Sequence, residues 1–169
     1  HEIIIYFFAD DIKLILPCNI SPQIHQSNLD AMCKWFSENT MQVNVNKCSI
    51  VHVGSNNMKH QFMLNNIPIK EETTVRDLGV TFTHNLSFSD HYDTISKQAS
   101  SKSHLIFNAF KTKNTEFLIN MYKTFVRSKL EYCTTVWSPH FKKDIDLFEN
   151  VQRRFLKRVP EFVNLPYDE

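Results

Sequence analysis

The sequence predicts an α+β protein in which a sheet-forming part precedes a helical part. Before about residue 87, apolar residues stand in short β-branched and aromatic runs separated by turn residues, a pattern typical of hairpins. From Ser89 onward, apolar residues recur with a period of about 3.6, which is typical of amphipathic helices. We therefore predict a mixed α+β domain over residues 1–87 and an all-helical domain over residues 88–169.

The first predicted element is a β-hairpin with two acids at its tip. Residues 2–9 and 12–16 form strand-like runs, and only Asp10 and Asp11 separate them. Adjacent carboxylates repel each other unless a cation, a proton or solvent relieves the charge. A divalent metal ion is one such cation, and ordinary turn chemistry is the alternative interpretation.

An amphipathic helix should follow from Pro22 to about Asn39. Ser21 offers a hydroxyl cap, and proline is favoured at the first helical position. We expect Trp35 to lie in the core. The other apolar residues approximate one face: Ile24, Leu29, Met32, Cys33 and Phe36.

The remainder of the first domain should be extended. Residues 43–53 suggest strands around Lys47, and Asn65-Asn66 favours a second hairpin because asparagine tolerates left-handed backbone. Residues 78–83 give one more strand. Within it, Gly79 suggests a positive φ or a close backbone approach, the alternative being a bulge in an ordinary strand.

The second domain should contain successive amphipathic helices. We predict one over residues 89–111, a second capped by Asn114, and a break at Pro139 after Trp137, which should be a core residue. The last helix carries an apolar stripe formed by Ile145, Phe148, Val151, Phe155 and Val159.

The net charge of +1 conceals a segregation of charge along the chain. Residues 1–96 carry a net −4 and residues 97–158 a net +8, and the last eleven residues carry −3. A basic helical segment suits a polyanion, because each Lys or Arg near a phosphate releases counterions. A solvated basic face without a partner is the alternative. Four bases crowd the last helix: Arg153, Arg154, Lys157 and Arg158.

The composition excludes several classes of protein. Only two glycines occur, which excludes loops that bind phosphate through repeated glycines. The longest uncharged apolar run, residues 3–9, is far below the roughly 20 residues that span a bilayer. We therefore expect an intracellular protein with no membrane partner. The four cysteines form no Cys-x-x-Cys pair and should be free thiols.

Several segments, in order, resemble reverse transcriptases of non-LTR retrotransposons. Phe8-Ala9-Asp10-Asp11, with a strand on either side, resembles motif C, and residues 41–48 resemble motif D. Residues 75–80 resemble the strand turn that follows motif D. Residues 130–139 and 151–155 resemble the helical thumb and connection. The fold that this resemblance implies is a partial polymerase palm, made of antiparallel hairpins plus a helix, followed by an all-helical thumb or connection.

The activity that the resemblance implies is RNA-directed DNA polymerisation by two Mg²⁺ ions. Asp10 matches the metal-ligating aspartate, and Asp11 matches its neighbour, which supports the metal pair less directly. Lys47 matches a lysine proposed to protonate or neutralise the pyrophosphate, although a solvent-exposed turn lysine is the alternative. The implied partners are an RNA template, a DNA primer and a deoxynucleoside triphosphate, and the family leads us to expect a nuclear location.

The resemblance also suggests how nucleic acid is bound. The region 78–82 resembles the primer grip, in which Gly79 is the residue of interest. Contact with the template–primer backbone is expected from Arg153, Arg154, Lys157 and Arg158.

We expect this chain to be a fragment that is inactive alone. It starts at His1, it lacks the upstream motif A aspartate and motif B, and residues 165–169 stop inside a segment that normally continues. The missing N-terminal part of the same polyprotein would be a partner, and without it the first hairpin has an unpaired edge and an uncovered apolar face. The alternatives are a non-catalytic nucleic-acid-binding remnant of a retrotransposon and a purely structural α+β module.

Overall fold

The computed structural model describes residues 3–163 and residue 165, so expectations about Glu2 and residues 166–169 lie outside the described residues. The fold is mixed α+β, as predicted. The chain forms two compact units. Described residues up to 75, together with 83–86, form the first, and residues 76–82 with those from 87 onward form the second. The strand segment 76–82 therefore belongs with the helices, whereas the predicted division lay between residues 87 and 88.

The first unit begins with the predicted hairpin. Strands β1 (Ile4–Phe8) and β2 (Asp11–Ile15) are antiparallel, and Phe8 pairs with Asp11. The turn therefore consists of Ala9 and Asp10, and Asp11 is the first residue of a strand rather than part of the tip. Ala9 has a φ of 52°, a left-handed conformation that is unfavourable for a residue with a Cβ atom.

Helix α1 (Pro22–Glu38) lies where the sequence predicts it, with proline in its first turn. The Ser21 hydroxyl does not cap a backbone amide and instead donates to Oε1 of Gln23 at 2.8 Å. Leu29, Cys33 and Phe36 are buried, as expected. The placement of Trp35 in the core was wrong, since its side chain is 54% exposed.

A second, short hairpin lies after α1 in the first unit. Strands β4 (Met63–Leu64) and β5 (Ile67–Pro68) are antiparallel. Asn65 and Asn66 between them have φ values of 51° and 61°, which confirms the second hairpin and its left-handed turn. The core of this unit consists of Leu29, Cys33, Phe62, Leu64 and Ile69.

The segment around Lys47 is less extended than predicted. Val45–Lys47 form a single 3-10 turn, and strand β3 (Ser49–Ile50) runs parallel to β6 (Lys70–Glu71). Strands β7 (Thr74–Asp77) and β8 (Val80–Thr83) then form a separate two-stranded sheet, joined by Leu78 and Gly79.

The second unit is built from helices that begin close to their predicted positions. Helix α2 spans Ser89–Ala109, and α3 spans Thr115–Tyr122. The Asn114 side chain accepts a hydrogen bond from the Phe117 amide at 2.8 Å, which confirms the predicted cap. Beyond α3, a π-helical turn (Lys123–Arg127) leads directly into α4 (Ser128–Glu131).

A left-handed residue interrupts the helical path before Pro139. Cys133, with φ 56° and ψ 27°, separates α4 from the short helix α5 (Thr134–Trp137). Helix α6 spans Lys142–Leu156. Of its predicted stripe, Val151, Phe155 and Val159 are buried. Ile145 is exposed instead.

Two apolar clusters stabilise the second unit. The larger joins α2, α3, the π-helical turn and α6 through buried residues that include Ala99, Leu118, Val126 and Phe155. The smaller consists of Val80, Tyr92, Ile95 and Trp137. Trp137 is 2% exposed, which confirms it as a core residue. Within residues 3–163 and 165, no helix has the length and apolar character needed to cross a membrane.

Candidate functional site

The two candidate metal ligands lie side by side on the first hairpin. Asp10 is in the turn and Asp11 opens β2, and both side chains are exposed. Carboxylate oxygens suit Mg²⁺, which often takes one or two carboxylates and completes its shell with water and phosphate oxygens. Among the residues that the structure describes, no group of three His, Cys, Asp or Glu side chains could hold a metal ion. The two carboxylates are donors of the type that Mg²⁺ takes, and the described residues add no third donor beside them.

Lys47 ends the 3-10 turn and is exposed. The turn is closed by the Cys48 amide, which donates to the Val45 carbonyl at 3.0 Å, and by the Cys48 thiol, which donates to the Asn44 carbonyl at 3.3 Å. Burial raises the pKa of the Cys48 thiol, so it remains protonated. No ion pair joins Lys47 to Asp10 or Asp11 within the described part of the chain.

The hairpin carries an apolar groove on one face. Its β1 side chains are exposed, with Phe7 at 70% and Phe8 at 63%, as expected for a hairpin with an uncovered face. The groove is open to solvent. It is lined by Ile5, Phe7 and Ile12 from the hairpin and by Met32, Trp35 and Phe36 from α1. Trp35 thus borders this groove, with its ring edge-on to Phe36 at 5.4 Å.

Gly79 occupies a turn in which both residues are left-handed. Leu78 has φ 44° and Gly79 has φ 89°, so the predicted positive φ is confirmed and the bulge alternative is wrong. A Cβ atom on Gly79 would lie 3.4 Å from Cε1 of Tyr132, an ordinary van der Waals distance, so the positive φ and not a close backbone approach accounts for glycine here. Gly79 is exposed, and its contact with nucleic acid stays a prediction.

Sequence reasoning missed the role of Tyr132. Its hydroxyl donates to the Leu78 carbonyl at 3.0 Å, although the two residues are far apart in sequence. The neighbouring Cys133 side chain raises the pKa of Tyr132 above its ordinary value, which favours the protonated hydroxyl. The only available signal was its place in the segment 130–139, which resembles part of the thumb.

The four predicted nucleic-acid-binding bases lie together at the end of α6. Arg154 and Lys157 are exposed, and Arg153 is half-buried. The Arg158 guanidinium stands over the Phe107 ring, 4.1 Å from its centroid. Cations in the last turn of a helix also interact favourably with its dipole, so this cluster has a structural role besides any binding role.

Further bases extend the positive charge of the second unit. Two of them form exposed ion pairs with residues on the same helical path, Arg127 with Glu131 at 2.6 Å and Lys97 with Asp93 at 3.8 Å. The remaining exposed lysines of the second unit are distributed over several elements: Lys102, Lys111, Lys113, Lys123, Lys129, Lys142 and Lys143.

Comparisons of the chain with protein-family models, with curated proteins and with solved structures found no match. Two features of the chain bear on its function: the pair of carboxylates on a hairpin, and the basic helical unit.

Proposed function

We propose that this chain is part of the RNA-directed DNA polymerase of a non-LTR retrotransposon, contributing a portion of the palm and the helical thumb or connection. The observation that carries the proposal is the exposed Asp10–Asp11 pair at the end of a two-stranded antiparallel hairpin beside α1. Adjacent exposed carboxylates offer negatively charged oxygen donors to a cation, and nucleotidyl transfer uses Mg²⁺ held by carboxylates.

Each residue has a separate role in the proposed reaction. Asp10 would ligate Mg²⁺ and Asp11 would support it, and bound Mg²⁺ would supply positive charge at the primer hydroxyl and the triphosphate. Lys47, exposed at the end of its 3-10 turn, would neutralise or protonate the pyrophosphate. Because the described residues supply no third carboxylate, we expect no primer extension by this chain alone.

The helical unit would hold the template–primer duplex without reading its sequence. Residues 97–158 carry a net charge of +8. Lys and Arg that neutralise phosphates release counterions from the nucleic acid, and this contribution to binding does not depend on the nucleotide sequence. Arg154, Lys157 and Arg158 are exposed, but the Arg158 guanidinium stands over the Phe107 ring, so Arg154 and Lys157 are the first candidates for phosphate contact.

The proposal is tested by metal binding rather than by turnover. Manganese binding to the chain, followed by electron paramagnetic resonance, should weaken about tenfold or more in the Asp10→Asn, Asp11→Asn double variant, because the oxygen donors lose their charge. Asp146→Asn, which neutralises an exposed acid on α6, is the matched control and should leave binding unchanged. Equal manganese affinity in the wild type and the double variant would contradict the proposal.

A second candidate function is nucleic-acid binding without catalysis. It is favoured by the basic helical unit together with the absence of a third carboxylate among the described residues. Under this alternative, an RNA–DNA hybrid binds with a steep salt dependence. The Asp10→Asn, Asp11→Asn variant then binds the hybrid as the wild type does, and neither protein holds manganese at the hairpin. A purely structural module would bind no hybrid at all.

A further inference from the structure

We infer that Tyr132 is a positioning residue that fixes the Leu78–Gly79 turn for contact with the end of the primer strand. The inference rests on the proposed function, under which this turn resembles part of a primer grip. The contacts that hold the turn in place lie entirely within the second unit.

The turn does not hold its shape by local preference alone. Leu78 has a φ of 44°, a region that a side chain with a Cβ atom rarely adopts, whereas glycine tolerates the 89° of Gly79. Such a backbone persists where the surrounding structure holds it. Tyr132 makes the contacts that do so, because its hydroxyl binds the Leu78 carbonyl and its ring lies against Gly79.

Tyr132 is itself fixed from the buried side. The Trp137 indole Nε1 donates to the Tyr132 carbonyl at 2.8 Å, and the Tyr92 hydroxyl donates to the Trp137 carbonyl at 2.8 Å. Tyr92 and Trp137 are both buried in the smaller cluster of the second unit. A chain of hydrogen bonds therefore runs from the core through Tyr132 to the turn.

The strand after the turn is tied to the same cluster. Val80 is buried in it, and the Thr81 amide donates to Nδ1 of His91 at 3.4 Å. The turn is thus held on both sides of Gly79, by Tyr132 before it and by the cluster after it. Tyr132 is 52% exposed and Gly79 is exposed, so a ligand can reach the surface that this arrangement fixes.

The test compares two RNA–DNA hybrids of equal duplex length by fluorescence anisotropy at one salt concentration. One hybrid has a recessed DNA 3′ end beside an RNA overhang, and the other has blunt ends. Tyr132→Phe keeps the ring and removes the donor to Leu78. Tyr122→Phe is the matched control, because it removes a hydroxyl that contacts Gln152 elsewhere in the same unit. Gly79→Val is a second variant that disfavours the left-handed backbone by another route.

We expect the wild type and Tyr122→Phe to prefer the recessed end. In Tyr132→Phe, the ratio of the affinity for the recessed hybrid to that for the blunt hybrid should fall about fivefold, the factor that corresponds to one net hydrogen bond. Its affinity for the blunt hybrid should stay unchanged, because phosphate contacts set that affinity. Gly79→Val should lose preference in the same way. A merely structural role would lower both affinities together and leave their ratio unchanged.

The outcomes separate this inference from the proposed function. If Tyr132→Phe and Gly79→Val keep the wild-type preference, or if the wild type shows none, the inference is overturned while duplex binding still stands. If the wild type binds neither hybrid, duplex binding by this chain fails and the inference fails with it. Should Tyr132→Phe not fold, as judged by circular dichroism, Gly79→Val decides the result.

Discussion

The side-chain amide of Gln26 forms two hydrogen bonds with the backbone of Met63. Its Nε2 donates to the Met63 carbonyl at 2.9 Å, and its Oε1 accepts from the Met63 amide at 2.9 Å. A side chain of α1 therefore forms the hydrogen bonds that a neighbouring strand would otherwise form with the amide and carbonyl of this β4 residue. The same Nε2 also donates to Asp30 at 2.8 Å.

We predict that Gln26→Ala lowers the free energy of unfolding by about 1–2 kcal/mol, because two backbone groups lose their partner. Gln26→Glu should also destabilise, since it removes the donor to the Met63 carbonyl. Urea unfolding followed by circular dichroism measures both effects. Gln98→Ala, on the exposed face of α2, controls for helix propensity and should be neutral or slightly stabilising. Equal stability of Gln26→Ala and the wild type would refute the prediction.

His91 should make the protein less stable in mild acid. It is buried beside Trp137 at a ring distance of 5.2 Å, and its Nδ1 accepts from the Thr81 amide, so the folded state requires the neutral ring. Burial, together with the charge of Arg76, lowers the pKa of His91 below its ordinary value of 6.5. The unfolded chain then binds a proton at a pH where the folded chain does not, and stability falls as the pH drops below 6.5.

The measurement is the free energy of unfolding between pH 7.5 and 5. His91 should contribute a slope no steeper than about 1.4 kcal/mol per pH unit, the limit for one proton. His91→Phe should remove that contribution and flatten the curve, even if it lowers stability at neutral pH. His140→Gln changes an exposed histidine and serves as the control. An unchanged slope in His91→Phe would exclude this histidine as the source.

Local signals predicted most of the secondary structure correctly. Asn65-Asn66 gave the second hairpin, and Asn114 gave the start of α3, because each depends on the conformational preferences of a few adjacent residues. The change from strands to helices near residue 88 was visible for the same reason, since hydrophobic period is a local property, although the two compact units divide differently.

Features that depend on distant neighbours were not predictable. Trp35 was assigned to the core from its helical face, yet that part of α1 borders an open groove rather than packed side chains. The hydrogen bond between Tyr132 and Leu78 joins residues that are 54 positions apart in the sequence, and no local sequence pattern predicts it. The candidate acids were identified by type, but the pairing of Phe8 with Asp11 places only Asp10 in the turn.

Neutralising Arg154 and Lys157 should weaken nucleic-acid binding by a salt-dependent amount. If each contacts one phosphate, Arg154→Gln with Lys157→Gln should reduce the slope of log affinity against log salt by about 1.8, since each contact contributes about 0.9. Anisotropy titrations of an RNA–DNA hybrid at several salt concentrations measure the slope. Lys34→Gln with Lys59→Gln removes the same charge from exposed positions of the first unit and should change the slope less. Identical slopes for both double variants would show that net charge alone governs binding.

The first hairpin should limit solubility through its apolar groove. Phe7 and Trp35 both line the groove and are largely exposed, so Phe7→Glu with Trp35→Glu removes apolar surface from contact with water. We expect the double variant to remain monomeric at concentrations where the wild type associates, with little change in unfolding free energy, because exposed side chains contribute little to the core. Light scattering at increasing concentration, together with urea unfolding, measures both quantities. Met58→Glu, at an exposed methionine outside the groove, is the control. If Met58→Glu improves solubility as much as the double variant does, added negative charge explains the effect and the groove does not.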